Sequence, residues 1–155
     1  MKYTWIDYNS AYEEMVDSWL DEDAMRFTGC DDGFEEYYQY WVNDADTKIG
    51  ENFWAKIIIA DADLIGIIAF GLLENVFTIS EYIIRPDKRG MKYGSSALTE
   101  LIAHSKDIIG IEIQEAKAVI FPNNIASQKA FEKAGFTFHY EHPDGDAWYY
   151  KYQKV

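Results

Sequence analysis

Residues Thr78 to Ser95, TISEYIIRPDKRGMKYGS, carry an apolar strand directly into a basic, glycine-containing turn that opens a helix. A helix start leaves several backbone N–H groups without partners and concentrates a partial positive charge, so an anion docks there without a dedicated side chain. The run Arg89-Gly90-Met91-Lys92-Tyr93-Gly94-Ser95 adds two cations and two glycines to that turn. Helix periodicity follows at once: Gly94, Ala97, Leu98, Leu101, Ile102, Ser105, Ile108 and Ile109 recur at the spacing of one buried face. The stretch therefore reads as a site for a phosphate-bearing ligand at the mouth of a strand and a helix. Neither the GxGxxG of a dinucleotide fold nor the GxxxxGK[ST] of a P-loop occurs, so the kind of ligand must be decided elsewhere in the chain.

Residues Ala118 to Phe136, AVIFPNNIASQKAFEKAGF, read as a strand ending at Pro122, a short helix capped by Asn123 or Asn124, and a stop at Gly135 before a new strand. The pattern Asn124, Ser127, Glu132, Lys133, Gly135, Phe136 resembles the last conserved segment of the Gcn5-related N-acetyltransferase (GNAT) superfamily. Arg89 to Gly94 resembles that superfamily's pyrophosphate loop, R/Q-x-x-G-x-G/A. The N-x-x-S spacing of Asn124 and Ser127 is similar to the branch that includes the ribosomal-protein acetyltransferases. Two positions depart from the family pattern: Lys92 stands where the loop normally has glycine, and Phe131 where many members have a tyrosine.

Composition sets the bounds. A chain of 155 residues with 48% hydrophobic residues is the size of one domain, and no linker, repeat or low-complexity run divides it, so residues 1–155 are expected to form a single domain. No stretch approaches the ~18 apolar residues of a membrane span, and the first ten residues lack a signal-peptide core. The lone Cys30 has no partner for an internal disulfide, which points to a cytoplasmic location. No Cys-His pattern makes Cys30 a nucleophile, and no metal site is expected. With 27 acidic against 14 basic residues the net charge is −13, which disfavours nucleic acid and anionic membranes and favours a cationic partner; a homodimer is compatible with the composition.

The acidic excess lies in the N-terminal third, in Glu13, Glu14, Asp17, Asp21, Glu22, Asp23, Asp31, Asp32, Glu35, Glu36, Asp44 and Asp46, interleaved with aromatics including Trp19, Phe27, Phe34, Tyr37 and Trp41. Most of these carboxylates read as the solvated faces of two amphipathic helices. A few are expected to line a pocket for an amine by charge pairing and cation–π contact.

The element order is β-α-α-β-β-β-α-β-α-β-β: strands over residues 2–7, 53–60, 64–72, 75–84, 115–121, 136–142 and 147–153, with helices over 10–20, 33–43, 94–106 and 124–134. Asp61-Ala62-Asp63 reads as a hairpin turn and Pro143-Asp144-Gly145-Asp146 as another. This order agrees with the α/β (α+β) acyl-CoA N-acyltransferase fold that the resemblance implies, a mixed central sheet of six to seven strands flanked by about four helices. In that fold the strand before the loop and the strand after the helix splay apart, and the pantetheine arm of acetyl-CoA enters the gap.

The resemblance further implies acetyl transfer from acetyl-CoA, as cosubstrate and without a metal, to a small cationic amine or a protein amine. Tyr82, Ile83, Ile84, Arg89, Gly90, Met91, Lys92, Tyr93, Gly94, Ser95, Asn124 and Ser127 are the expected cofactor contacts. The amides of Tyr82 to Ile84, freed by a bulge, would serve the oxyanion. Glu81, on the strand entering the loop, is the expected base; Glu35, Glu36 and Asp32 stand in reserve, and Ser127 is the expected donor to the leaving thiolate. The alternatives are a CoA-binding sensor without turnover, suggested by Lys92 and Phe131, and an interaction module whose acidic aromatic face binds a basic protein.

Overall fold

The structure, a computed structural model, describes residues 2–28, 30, 32–145 and 147–154, and leaves the side chains of Arg26 and Phe27 undescribed. Expectations placed on Phe27, Asp31 and Asp146 therefore lie outside the described residues. The strands are β1 (Tyr3–Asp7), β2 (Phe53–Ala60), β3 (Asp63–Leu73), β4 (Val76–Ile84), β5 (Glu115–Ile120), β6 (Thr137–Glu141) and β7 (Trp148–Gln153). The helices are α1 (Glu13–Asp17), α2 (Glu22–Phe27), α3 (Phe34–Val42), α4 (Tyr93–Ile109) and α5 (Ile125–Lys133). One seven-stranded sheet runs in the order β1-β2-β3-β4-β5-β7-β6. All neighbouring pairs are antiparallel except β4 and β5, which are parallel.

Two cores cover the two faces of this sheet. On one face Trp54, Ile58, Phe70, Phe77 and Ile79 pack with Leu98 and Leu101 of α4 and Phe131 of α5. On the other, Phe53, Ile57, Ile67 and Ile83 pack with Val16, Trp19, Ala24, Cys30 and Phe34 from the N-terminal helices. Alternation along each strand sends successive side chains to opposite faces, so neighbours in an apolar run such as Ile57 and Ile58 supply the two cores.

The N-terminal region differs from its sequence reading. The single helix expected over 10–20 is a 3-10 turn at Ser10–Tyr12 followed by α1, which ends at Asp17. A further helix, α2, begins after Asp21, whose side chain accepts from the amide of Ala24 at 2.9 Å. Asp21 is a good N-cap, and capping divides what apolar periodicity alone reads as continuous. The carboxylate of Asp17 accepts from the amide of Phe34 at 3.0 Å and so tethers α1 to the start of α3. Gly33 precedes that start at φ +98, where a Cβ would lie 3.0 Å from the Asp17 carboxylate, so both backbone and space require glycine here.

The β2–β3 hairpin turns on Asp61 and Ala62, both at positive φ (49 and 72). Such a turn favours glycine at its second position, and an alanine held there costs about 1 kcal/mol in backbone strain. Ala62→Gly is therefore expected to raise the melting temperature by about 2–4 °C, read by thermal denaturation; an unchanged or lowered midpoint would show that the turn carries no such strain.

Candidate functional site

The site begins where β4 and β5 part. Their parallel pairing covers only Phe77–Ala116, Thr78–Lys117 and Ile79–Ala118. Beyond it β4 continues to Ile84 beside β3 alone, and β5 runs on to Ile120 beside β7. A cleft of about 810 Å³ fills the opening. Its walls are β4 from Ile79 to Ile84, the loop through Lys88, Arg89, Gly90 and Lys92, the start of α4 at Gly94 and Ser95, the end of β5, and α5. Asp23, Ala24 and Thr28 close it on the side of the N-terminal helices.

A bulge on β4 decides which side chains face this cleft. Phe70 of β3 pairs with Ile79 but Ala69 pairs with Glu81, so Ser80 is the extra residue. Before the bulge, Phe77 and Ile79 point into the α4–α5 core; after it, Tyr82 takes that side, and Glu81 and Ile83 turn to the face carrying the N-terminal helices. One inserted residue thus moves Glu81 away from the core that a regular strand would have given it. The bulge expected over Tyr82 to Ile84 is corrected to Ser80. Arg85 donates its amide to Ile65 O at 2.8 Å, and alternation places the amide of Ile83 on that same β3 side. The amides of Tyr82 and Ile84 face the side that β5 has left, whereas the amide of Ile83 serves the sheet.

Glu81 is 6% exposed and lines the cleft. Its carboxyl group is hydrogen-bonded to the thiol of Cys30, and burial together with that acidic neighbour pushes the Cys30 thiol up to about 12. Cys30 accordingly keeps its proton and donates it to Glu81. Glu35, held in reserve as a base, is occupied by the hydroxyls of Tyr8 and Ser10 and the amide of Gln39. The reserves Glu35, Glu36 and Asp32 are all absent from the cleft lining.

At the loop, α4 starts from Lys92, which has no side-chain cap and adopts the left-handed conformation at φ +69. That region favours glycine, and lysine accepts the strain here. Tyr82 donates its hydroxyl to Gly94 O at 2.6 Å and pins the first turn to β4. Three nearby cations are already paired. Arg85 binds Asp63 and Asp87, Lys88 binds Asp63 at 3.0 Å, and Arg89 binds Asp21 at 2.7 Å while its Nε donates to Ile84 O at 2.9 Å. Among the described residues the ammonium of Lys92 has no carboxylate partner. Arg89, expected as a phosphate contact, is committed to anchoring the loop against the start of α2. Met91 and Tyr93 do not line the cleft.

Gly94 is informative because nothing among the described residues requires it. Its φ is not in the positive region, and among the described residues a Cβ there would meet Ala130 Cβ at 3.6 Å and Ile84 Cγ1 at 4.0 Å, which are ordinary contacts. On the opposite wall Asn124 caps α5 by accepting from the amide of Ser127 at 3.3 Å. Gln128 was not anticipated: it is 8% exposed, and its side-chain amide donates to Phe121 O and Pro122 O at 3.2 and 2.7 Å, holding the β5–α5 turn. Its only sequence signal was a polar residue on the buried face of an otherwise amphipathic helix. Phe131 stacks edge-on against Tyr82 and Phe136. No cluster of three or more His, Cys, Asp or Glu able to hold a metal occurs among the described residues.

A split parallel pair beside an uncapped helix start, with a carboxylate turned in by a bulge, is the architecture of an acyl-CoA-handling fold. The family profile described as the acetyltransferase (GNAT) domain matches residues 5–137, and the chain belongs to that family. Solved structures share the fold. A domain from Methanocaldococcus jannaschii is 21% identical at a TM-score of 0.75, covering 99% of each chain. Spermidine N-acetyltransferase from Vibrio cholerae, bound to CoA and spermine, is 13% identical at 0.73, covering 97% of this chain and 95% of that one. The aminoglycoside acetyltransferase AAC(6')-Ib, bound to coenzyme A and kanamycin, is 16% identical at 0.75, covering 99% and 95%. No curated protein matches the sequence at a significant level.

Proposed function

We propose that the protein transfers the acetyl group of acetyl-CoA to the amine of a small cationic acceptor. The observation that carries this reading is the opening between β4 and β5, which places the amides of Tyr82 and Ile84, the uncapped start of α4 and the carboxylate of Glu81 around one cleft. The amides of Gly94 and Ser95 and the ammonium of Lys92 would hold the pyrophosphate, and Tyr82 N–H would receive the oxygen that gains charge as the thioester carbonyl is attacked.

An amine with a pKa near 10 is mostly protonated at pH 7. Glu81 takes one proton, directly or through water, and the freed lone pair forms the new C–N bond; as the C–S bond breaks, the second proton that the nitrogen must lose passes, through a hydroxyl or water, to the departing sulfur. The departing thiolate, with a pKa of about 8.5, leaves without much help. Ser127 lines the cleft on the far wall, and in this reading its hydroxyl relays a proton to the sulfur. Phe131, buried against two rings, has no proton to give.

The acceptor argument is narrower than the net charge suggests. Asp17, Asp21, Glu35 and Asp44 are taken up by contacts within the fold; among the described residues the carboxylates lining the cleft are Asp23 and Glu81. The comparison enzymes bound to spermine and to kanamycin bind cationic amines, which supports the same class here. The test is a thiol-release assay with acetyl-CoA and a panel of polyamines, aminoglycosides and peptide amines. Release with at least one cationic amine is expected. Its apparent KM should rise with salt, because attraction to Asp23 and the surrounding acidic surface is screened over ~8 Å at physiological ionic strength. Acetyl-CoA binding without thiol release on any amine would favour a sensor, and no binding at all would leave an interaction module.

A further inference from the structure

We infer that Tyr37 and Ser80 form a lock that holds the β4 bulge in register and so positions Glu81 toward the cleft; this rests on the assignment of Glu81 as the base. Ser80 Oγ donates to Ala69 O at 3.2 Å, on the β3 residue that pairs with Glu81. Its single proton is thereby used, so in its contact with Tyr37 the serine oxygen accepts and the phenol donates. The chain Tyr37 to Ser80 to Ala69 joins α3 to the inserted residue and to the neighbouring strand.

The reason for such a lock lies in the sheet itself. A bulge has one residue without a ladder partner, and sliding it by one position would return Glu81 to the α4–α5 side, among Phe77, Ile79 and Phe131. Tyr37 is held by its own packing: its ring lies 5.5 Å from that of Phe34, which is fully buried. Burial pushes the Tyr37 hydroxyl above the ordinary tyrosine range, so it keeps the proton it donates. Neither Tyr37 nor Ala69 lines the cleft, whereas Ser80 and Glu81 do. The placement of the carboxylate is therefore set from outside the cofactor-binding wall.

Tyr37→Phe, Ser80→Ala and the double variant test the lock with the best amine found in the thiol-release assay. Each single change is expected to lower kcat about three- to tenfold, with KM for acetyl-CoA unchanged. The double variant should lose no more than either single one, because one chain of bonds is broken only once. Amide hydrogen exchange over residues 79–82 should quicken in all three. Wild-type kcat in both singles, additive losses in the double, or unchanged exchange would overturn the lock. Ser80→Ala keeps the test valid if Tyr37→Phe folds poorly. Glu81→Gln separates the two claims: inactive Glu81→Gln with fully active lock variants removes the lock alone, whereas fully active Glu81→Gln removes both.

Discussion

Replacing Glu81 with Gln is expected to lower kcat by about 10²- to 10⁴-fold at neutral pH, the range that a positioned general base supplies. Glutamine keeps the size and one acceptor of glutamate but cannot take a proton, so acetyl-CoA affinity should stay near that of the parent. The pH dependence has a defined sign. The base matters because the amine arrives protonated, so the deficit is greatest on the acid side and narrows as pH rises toward the amine pKa near 10. Steady-state rates from pH 6 to 10 read this directly. A deficit that is the same at every pH would assign Glu81 a role in shaping the cleft in place of proton transfer.

The second large effect concerns the cofactor and comes from Gly94. Because the fold leaves room for a Cβ and no positive φ is involved, Gly94→Ala should fold normally and gain a few tenths of a kcal/mol from the lower backbone entropy of the unfolded chain. The same methyl group stands over amides that the phosphates would approach. Acetyl-CoA binding should weaken about tenfold in Gly94→Ala and about a hundredfold in Gly94→Val, or about 1.4 and 2.7 kcal/mol. Calorimetry alongside thermal melting resolves the two opposed signs. Lys92→Ala should weaken binding less than Gly94→Val, since it removes one charge and leaves the directional contacts in place. Parental affinity in Gly94→Val would remove the phosphate-loop reading.

Local signals were legible in the chain wherever a short segment determines its own conformation. The α4 face at Ala97, Leu98, Leu101 and Ser105 is buried as its periodicity implies. Asn124 caps α5, and the stop at Gly135 rests on a positive φ of 100. The hairpin at Asp61 also follows from backbone chemistry. In each case the deciding interaction spans fewer than about five residues, and propensity or capping expresses it in sequence.

What only the tertiary structure decided is the aim of the side chains. No pattern in VFTISEYII announces that Ser80 is an inserted residue, since a bulge is a mismatch between two strands and the partner, β3, lies in a separate segment. That mismatch turns Glu81 to the face of the N-terminal helices and points the amides of Tyr82 and Ile84 to the side that β5 has left. Arg89 likewise reads in sequence as a loop cation, but Asp21, 68 residues away, claims it. The acidic N-terminal third reads as one electrostatic surface until folding takes Asp17, Asp21 and Glu35 into caps and hydrogen bonds and sets Asp23 in the cleft wall. Residue types, caps and periodicity were set locally by the sequence; which face a strand residue takes, and which charges are bound within the fold, depend on register and on partners distant in the chain, and those exist only once the sheet has formed.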